Sequence, residues 1–300
     1  MEITIAPAGP GVLVQRRRAR PWLDALKSLA RTKLAVFGIV VILGFTVCAL
    51  FSPWIAPYDP VDTSAGEPHA APSMEHWMGV DQLGRDVMSR IIFGSRIALG
   101  VSICAVGLGA ALGVPIGLLA AYFRGWTDSI LMRFMDAIIS FPGLILAMGL
   151  AAILGAEWYN LVIAIGVGNI PWIARVVRSQ ALSVCENDYI LAAQTVGARS
   201  PRILARYIWP NSTAPVIVQV SVGMAWAVLV EAGLSFLGVG VRPPTPTWGS
   251  MLQFAFPVLK REPWLSIAPG TAIFLLVLAF NFVGDALRDV LDPRLKGVIH

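Results

Sequence analysis

The chain has 300 residues, of which 56% are hydrophobic and 14% are charged, with a mean hydropathy of +0.71 and a formal net charge of +5. Soluble domains carry about a quarter charged residues, so this composition excludes a protein that faces water on all sides. Its three cysteines and three histidines are scattered along the chain, which excludes a disulfide framework and offers no metal-ligand spacing.

Six segments without Asp, Glu, Lys or Arg are long enough to cross a bilayer, which takes about 20 mostly apolar residues. In chain order they are 34–51, 97–123, 137–156, 158–174, 207–230 and 263–284. The first lacks a following small-residue cleavage site, so we expect an uncleaved span and not a signal peptide. The fourth is short, and we expect it to continue past Arg175, whose long side chain reaches the aqueous boundary. The pattern predicts an all-α membrane protein with six transmembrane helices.

The basic residues predict the orientation of these spans. With a cytoplasmic N-terminus, 17 of the 23 lysines and arginines fall on the inner side and six on the outer side. Because cytoplasmic loops retain Lys and Arg, the sequence predicts that both termini lie inside. The same bias accounts for the positive net charge without a nucleic-acid partner.

This topology divides the chain into five parts. They are a cytoplasmic N-terminal segment 1–33, a first transmembrane helix 34–51, an extracytoplasmic loop 52–95, a transmembrane domain 96–288 and a cytoplasmic tail 289–300. Within the transmembrane domain, 175–206 is predicted to be a cytoplasmic loop and 231–262 an extracytoplasmic segment.

The loop 52–95 carries a charged cluster close to the point where the chain re-enters the membrane. Asp81, Arg85 and Asp86 surround Gly84 there. An Asp–Arg pair four residues apart on a helix contributes only about 0.2–0.5 kcal/mol, so stability is not the obvious reason for this cluster. Two interpretations stay open: local ion pairs that tie the loop down, and a surface that contacts a partner.

Two acidic residues lie at the edges of predicted spans. Asp136 stands at the cytoplasmic start of the third span beside Arg133, an ordinary anchoring pair three residues apart. Glu231 stands at the outer edge of the fifth span, where we favour a hydrated carboxylate over one that faces a translocation path or a partner helix. The apolar run 232–241 is too short to span, and it predicts a short helix or re-entrant element on the outer side.

The segment 188–204 has the pattern of two short helices joined by a bend. Ala192 and Ala193 leave one helix face smooth, and Gly197 supplies the turn after it. Ser200 is predicted to be the N-cap of the second helix, with Pro201 at its first position. The pattern fits a solvated connector and a partner-docking knob equally well. A helix-turn-helix DNA reader is disfavoured because membrane spans flank the segment.

This segment resembles the signature loop of permease subunits in ATP-binding-cassette (ABC) importers. The resemblance lies in Ala192-Ala193, three residues, Gly197, and later Trp209-Pro210. Three positions depart from that family's pattern, with Leu191 in place of Glu, Tyr207 in place of Ile and Trp209 in place of Leu. The segments 76–100, 243–252 and 279–297 are similar to permeases for di- and oligopeptides, nickel or glutathione.

The resemblance implies a type I ABC importer permease fold that works by alternating access in a bacterial cytoplasmic membrane. It implies contact with an ATPase through Leu191, Ala192, Ala193, Gly197, Ala198, Arg199, Ser200 and Pro201. It implies a binding-protein contact or gate among Asp81, Gly84, Arg85, Asp86 and Glu231. The implied partners are a second related permease, two cytoplasmic ATPase subunits that hold ATP-Mg, an extracytoplasmic substrate-binding protein, a peptide or similar solute, and membrane lipid.

No motif of an enzyme accompanies these features. The sequence contains no G-x-x-x-x-G-K-[ST], no H-E-x-x-H and no G-x-S-x-G, so we predict no catalytic residue, no bound metal and no cofactor on this chain. A transport subunit powered by other subunits is therefore favoured. The alternative is a self-sufficient secondary transporter or channel, which would normally show internal repeats and ionisable residues within its spans.

Overall fold

A computed structural model describes residues 32–155 and 157–291, and almost all of their secondary structure is helical. The helices are α1 (Lys33–Ile55), α2 (Val87–Phe123), α3 (Gly125–Ile139), α4 (Gly143–Leu154), α5 (Trp158–Cys185), α6 (Asp188–Thr195), α7 (Ser200–Ile203), α8 (Trp209–Phe236), α9 (Trp248–Ala255) and α10 (Trp264–Leu291). A π-helical turn, Leu204–Ile208, joins α7 to α8. The predictions for 1–31 and 292–300 lie outside the described residues.

Five helical runs of the described chain are long and apolar enough to cross a membrane: α1, α2, α5, the run from α7 through α8, and α10. The remaining predicted span, 137–156, which is the third in chain order, is not one straight helix. It crosses the break between α3 and α4, which are bent by 85° relative to each other. Pro142 explains the break, because proline has no backbone N–H and disfavours helical geometry in the residue before it. The all-α, six-span expectation holds when the bent pair counts as one span.

Several helices extend beyond the apolar segments that predicted them. α1 ends at Ile55 and α2 begins at Val87, so the first connection is 56–86 and not 52–95. α5 continues past Arg175 to Cys185, as expected. α8 continues to Phe236, so the run after Glu231 belongs to the same helix and is not a separate element up to that point. Charged residues limit the apolar stretch, but they do not end a helix whose backbone bonds continue.

A glycine seam joins α2 to α5 along the middle of the bundle. It consists of Gly109, Gly113 and Gly117, which repeat every four residues and share one face of α2. A Cβ placed on Gly117 would lie 2.4 Å from the carbonyl oxygen of Ala174, and one on Gly113 would lie 2.8 Å from that of Ile170. Only glycine permits so close an approach of two helix backbones. The seam therefore packs the backbones of α2 and α5 directly against each other.

α1 lies at the edge of the bundle. It approaches α10 closely at Gly38, where an added Cβ would meet the carbonyl oxygen of Ala279 at 2.8 Å. Much of its remaining surface is apolar and exposed, including Leu34, Val40 and Leu50. An apolar helix exposed over most of its surface is typical of a span that faces lipid.

Candidate functional site

The described chain has two ends with different chemistry, which we call the elbow and the loop cap. The elbow is residues 186–208, between α5 and α8, and it contains α6 and α7. The loop cap is residues 56–86 together with 237–263, between α1 and α2 and between α8 and α10. The two parts of the loop cap meet through His69, whose imidazole contacts the carboxylate of Glu262.

The elbow bends where helix α6 ends, and the residue that makes the turn is Gly197. Gly197 has a φ of +77°. The N–H of Ala198 donates to the carbonyl of Ala193 at 3.0 Å, and the N–H of Gly197 donates to that of Gln194 at 2.9 Å. These two bonds form a Schellman motif, which requires a left-handed residue at the glycine position. The predicted turn at Gly197 is confirmed.

The start of the second elbow helix differs by one residue from the prediction. Arg199 occupies the N-cap position with extended backbone angles, Ser200 is the first helical residue, and Pro201 follows it. No side chain caps this helix. The prediction of Ser200 as N-cap was wrong because the Schellman bonds extend the turn only as far as Ala198, and the next helix begins after a single extended residue.

One face of the elbow is anchored in the protein. Ile190, Ile203 and Ile208 are buried, and they pack in one cluster with Ala121 from the end of α2 and Val184 from the end of α5. Ala193 is also buried, at 8% exposure. The elbow thus rests on the ends of the two helices joined by the glycine seam.

The other face of the elbow is exposed and carries large apolar side chains among polar and charged ones. Val196 is 84% exposed, Leu191 is 65% exposed, and Tyr189 is 43% exposed. Of the eight residues that sequence reasoning assigned to partner contact, Leu191, Ala192, Gly197, Arg199 and Pro201 lie on this open surface, while Ala198 and Ser200 are half-buried. Large apolar side chains displayed around small ones form a surface suited to packing against another protein.

Ion pairs fasten α3 to α5 close to the elbow. Arg178 binds Asp128 through two parallel N–H to carboxylate bonds, and Arg175 binds Asp136. The predicted pairing of Asp136 with Arg133 was wrong, because the carboxylate of Asp136 accepts from Arg175 on the neighbouring helix α5. Spacing along one helix could not reveal a partner on another.

The loop cap is organised around buried charges. Asp86 is 1% exposed and caps the start of α2. One carboxylate oxygen contacts Nδ1 of His76 at 2.9 Å, and the other accepts from the N–H and the hydroxyl of Ser89, each at 2.7 Å. Aromatic stacking adds to this, with the rings of Tyr58 and His76 4.8 Å apart. The sequence pattern does not predict this contact, because His76 lies ten residues before Asp86 in the chain.

A second charged group surrounds Asp81. Its side chain accepts from Nε of Arg85 at 2.7 Å, and Arg85 is only 4% exposed. Gly84, at the turn between them, has a φ of +81°, and a Cβ there would lie 2.2 Å from the carbonyl oxygen of Thr63. The structure therefore brings Asp81, Gly84, Arg85 and Asp86 together, and of these only Asp81 is partly exposed. Of the two interpretations left open by the sequence, this geometry favours local ion pairs that hold the loop in place.

The short helix α9 closes the loop cap over α2 and α8. Thr247 and Ser250 form a reciprocal capping box at its start. The indole N–H of Trp248 donates to the carbonyl of Ile91 at 3.0 Å. Gly249 lies against α8, where an added Cβ would be 2.2 Å from the carbonyl oxygen of Ala232. The prediction of a short helix or re-entrant element at 232–241 was wrong: residues 232–236 are the end of α8, residues 237–241 are not helical, and α9 begins at Trp248.

Glu231 is inside the protein. It is 1% exposed, and the hydroxyl of Ser235 donates to its carboxylate at 2.8 Å. The favoured interpretation of a hydrated carboxylate at a span edge was wrong, because α8 continues beyond Glu231 and α9 packs on that part of it. The side chain does not face an open surface.

Within residues 32–155 and 157–291, no three His, Cys, Asp or Glu side chains come together in a group that would hold a metal ion.

Comparisons with known proteins agree with this architecture. A family model described as "Binding-protein-dependent transport system inner membrane component" matches residues 113–297, and another, "N-terminal TM domain of oligopeptide transport permease C", matches residues 20–72. The chain is 39% identical over 294 residues to the dipeptide transport system permease protein DppC of Alkalihalophilus pseudofirmus, covering 98% of this chain and 97% of the relative. It is 40% identical over 278 residues to the glutathione transport system permease protein GsiD of Escherichia coli, covering 92% of each.

Two solved structures share the fold. An inward-facing MetNI methionine ABC transporter has a chain that superposes with a TM-score of 0.58 at 18% identity, covering 69% of this chain and 98% of that chain. An amino acid ABC transporter with histidines gives a TM-score of 0.52 at 15% identity, covering 67% and 94%. The shared part corresponds in extent to most of the bundle.

Proposed function

The chain belongs to the family of binding-protein-dependent transport system inner membrane components, the permease subunits of ABC importers, and from this premise we propose that its solute is a di- or oligopeptide or glutathione. The observation that carries the proposal is the identity of about 40% to a dipeptide and a glutathione permease over more than nine-tenths of the chain. A nickel chelate is the next candidate from the same resemblance. The self-sufficient secondary transporter or channel is set aside by the family membership.

The proposed mechanism is alternating access driven from the elbow. Two ATPase subunits bind ATP-Mg and close, and the exposed face around Leu191, Ala192 and Val196 receives that movement. The exposed Leu191 and Val196 support the proposal, because they lie outside the predicted spans, where an exposed apolar patch marks a contact with another protein or with the membrane. Leu191 stands where the family pattern has Glu, so we propose that this contact is made by packing instead of by a carboxylate. This chain supplies no catalytic residue and binds no nucleotide itself.

The loop cap is proposed as the extracytoplasmic face on which a substrate-binding protein docks. Met74, Trp77 and Leu83 support this, because they are 92%, 68% and 48% exposed while the charged residues below them are buried. Exposed aromatic and Met side chains are enriched where proteins bind one another. Arg85 and Asp86 then act by holding the shape of this face, and Asp81 and Gly84 shape its tip.

The proposed assembly is completed by a second related permease in a bacterial cytoplasmic membrane. The translocation path would run between the two permeases, so one chain alone would hold half of it. We place the N-terminus and the elbow on the cytoplasmic side, following the distribution of Lys and Arg.

Uptake by the complete importer in liposomes tests the proposal. We expect labelled dipeptide or glutathione to accumulate only when ATP, both ATPase subunits and the binding protein are present. Liposomes with an ATPase variant that binds but does not hydrolyse ATP serve as the control. Accumulation by this chain alone in response to an ion gradient would contradict the proposal.

A further inference from the structure

A small cavity lies inside the loop cap, between the turn at 81–85, the start of α2 and the helices α9 and α10. Its volume is about 20 Å³. Asp81, Gln82, Arg85 and Arg90 form its polar wall, and Met251 and Leu265 are part of its apolar wall. Arg85 and Arg90 are 4% and 2% exposed. The cavity is therefore a space for one small group bounded by two buried guanidinium groups.

The charges on this wall do not balance. Arg85 Nε donates to Asp81 Oδ2 at 2.7 Å, whereas Arg90 Nε is 3.7 Å from the same oxygen, too far for a hydrogen bond. Arg90 donates to the carbonyl of Pro60 at 2.8 Å through its NH1 group, but its Nε has no hydrogen-bond partner among the described residues. Two positive charges thus share one carboxylate, and Arg85 and Arg90 repel each other.

Among the described residues, the carboxylate of Asp81 is the one that pairs with Arg85 and Arg90. Asp86, the nearest other carboxylate along the chain, is engaged by His76 and Ser89 through both of its oxygens. A buried charge without a partner is costly, and a guanidinium presents N–H donors in a fork that matches a carboxylate. The cavity has the charge and the donors of a carboxylate site.

We propose that this cavity receives the carboxylate of an acidic side chain carried by the extracytoplasmic binding protein, an inference that rests on the proposed function. A cavity of this size admits a group about as large as one water molecule, which suits a carboxylate oxygen and excludes a peptide backbone. Its lining residues belong to the loop cap and to the helix ends next to it, and Gln82 in this lining is adjacent in the chain to the exposed Leu83. The binding protein thereby places an anionic anchor beside the unpartnered Nε of Arg90.

The affinity of the binding protein for the complete importer in lipid nanodiscs tests the proposal. We expect Arg90→Gln to weaken docking by roughly tenfold to hundredfold, as removal of a buried charge-assisted hydrogen bond does. Arg261→Gln is the matched control: it removes the same charge from an exposed position of the loop cap and is expected to change affinity less than threefold or so. Unchanged docking to Arg90→Gln would overturn the proposal.

A double-mutant cycle identifies the anchor. Each Asp and Glu on the surface of the binding protein is replaced by Asn or Gln, and docking is measured against the unmodified importer and against Arg90→Gln. One replacement should weaken docking to the unmodified importer and have no further effect with Arg90→Gln. Additive effects for every acidic residue would overturn the proposal.

Two further measurements do not depend on the folding of an arginine variant. Ala255→Leu places a larger side chain in the cavity wall and leaves both arginines intact, and it should weaken docking as well. Acetate, but not acetamide or chloride, should compete with docking to the unmodified importer. If neither Ala255→Leu nor acetate weakens docking, the carboxylate site is overturned and the proposed function stays intact. An unmodified importer that needs no binding protein for uptake contradicts the proposed function itself.

Discussion

The loop cap and the elbow lie at opposite ends of the glycine seam and are built on opposite principles. In the loop cap, charged side chains are buried against each other: Asp86 is 1% exposed and Arg85 is 4% exposed. In the elbow, the anchors are apolar and the open face carries Leu191 and Val196. Buried ion pairs fix a geometry because either partner left alone is costly. The apolar anchors of the elbow hold only one of its faces, and the other face remains exposed and able to bind a partner. The contrast therefore separates a loop cap whose geometry is fixed from an elbow that exposes a binding surface.

Asp86→Ala should give the largest effect on this comparison. It removes the cap of α2 and leaves His76 and Ser89 without their acceptor, at a cost of about 3–5 kcal/mol in the free energy of unfolding. Thermal unfolding of the purified importer measures it. Asp62→Ala is the control, because Asp62 is exposed and binds only its own turn through Ser64. Equal, small losses for both variants would show that the loop cap is not held by buried charge.

Ile190→Ala and Leu191→Ala separate the two faces of the elbow. Ile190 is 2% exposed, so its truncation should cost about 2–4 kcal/mol. Leu191 is 65% exposed, so its truncation should change stability by no more than about 0.5 kcal/mol while lowering the solute transported per ATP hydrolysed. Unfolding and uptake assays on the same preparations give both numbers. A reversed order, with Leu191→Ala the more destabilising, would refute the two-faced elbow.

Gly197→Val tests the bend itself. The left-handed geometry at Gly197 costs a residue with a side chain about 1–2 kcal/mol, and no atom lies within 4 Å of an added Cβ, so the effect is one of backbone strain alone. We expect the subunit to insert normally and uptake to fall. Gly197→Asn is the matched variant, since Asn tolerates this conformation better. Normal uptake by the Val variant at normal expression would count against the elbow as the coupling element.

Asp136→Asn should have the smallest effect. The pair Arg175–Asp136 is exposed, at 42% and 59% of the two side chains, and such pairs contribute about 0.2–1 kcal/mol. Asp128→Asn removes the bidentate and less exposed pair with Arg178, and it should destabilise more. Melting temperatures at low and high salt compare them. A larger loss for Asp136→Asn would mean that exposure does not rank these two ion pairs.

Much of the fold was predictable because a bilayer imposes its thickness on the sequence. Apolar runs located every span, and the glycine of the elbow located its turn. The break at Pro142 was visible in the sequence, but its consequence was not, since prolines elsewhere, such as Pro115 in α2, lie within continuous helices.

What escaped prediction depends on contacts between distant segments. Glu231 looked hydrated because the sequence does not show that α9 packs back onto α8. Asp136 binds Arg175 and Asp86 contacts His76, and neither partner lies three or four residues away, where helical spacing would predict it. The cavity beside Arg90 likewise arises only when four segments meet. The local sequence pattern predicts the helices, whereas the tertiary structure determines which buried charges pair.

The length of α2 has a mechanical consequence. This helix begins at Val87, directly after its cap residue Asp86, and ends at Phe123, two residues beyond Ala121 of the elbow cluster, so its 37 residues measure about 55 Å. The same helix is therefore held by ion pairs at its N-terminal end and by apolar packing at its C-terminal end. If it tilts as a unit about its middle, its two tips swing in opposite directions by the same amount. A signal arriving at either surface of the membrane then needs no relay of successive rearrangements to reach the other.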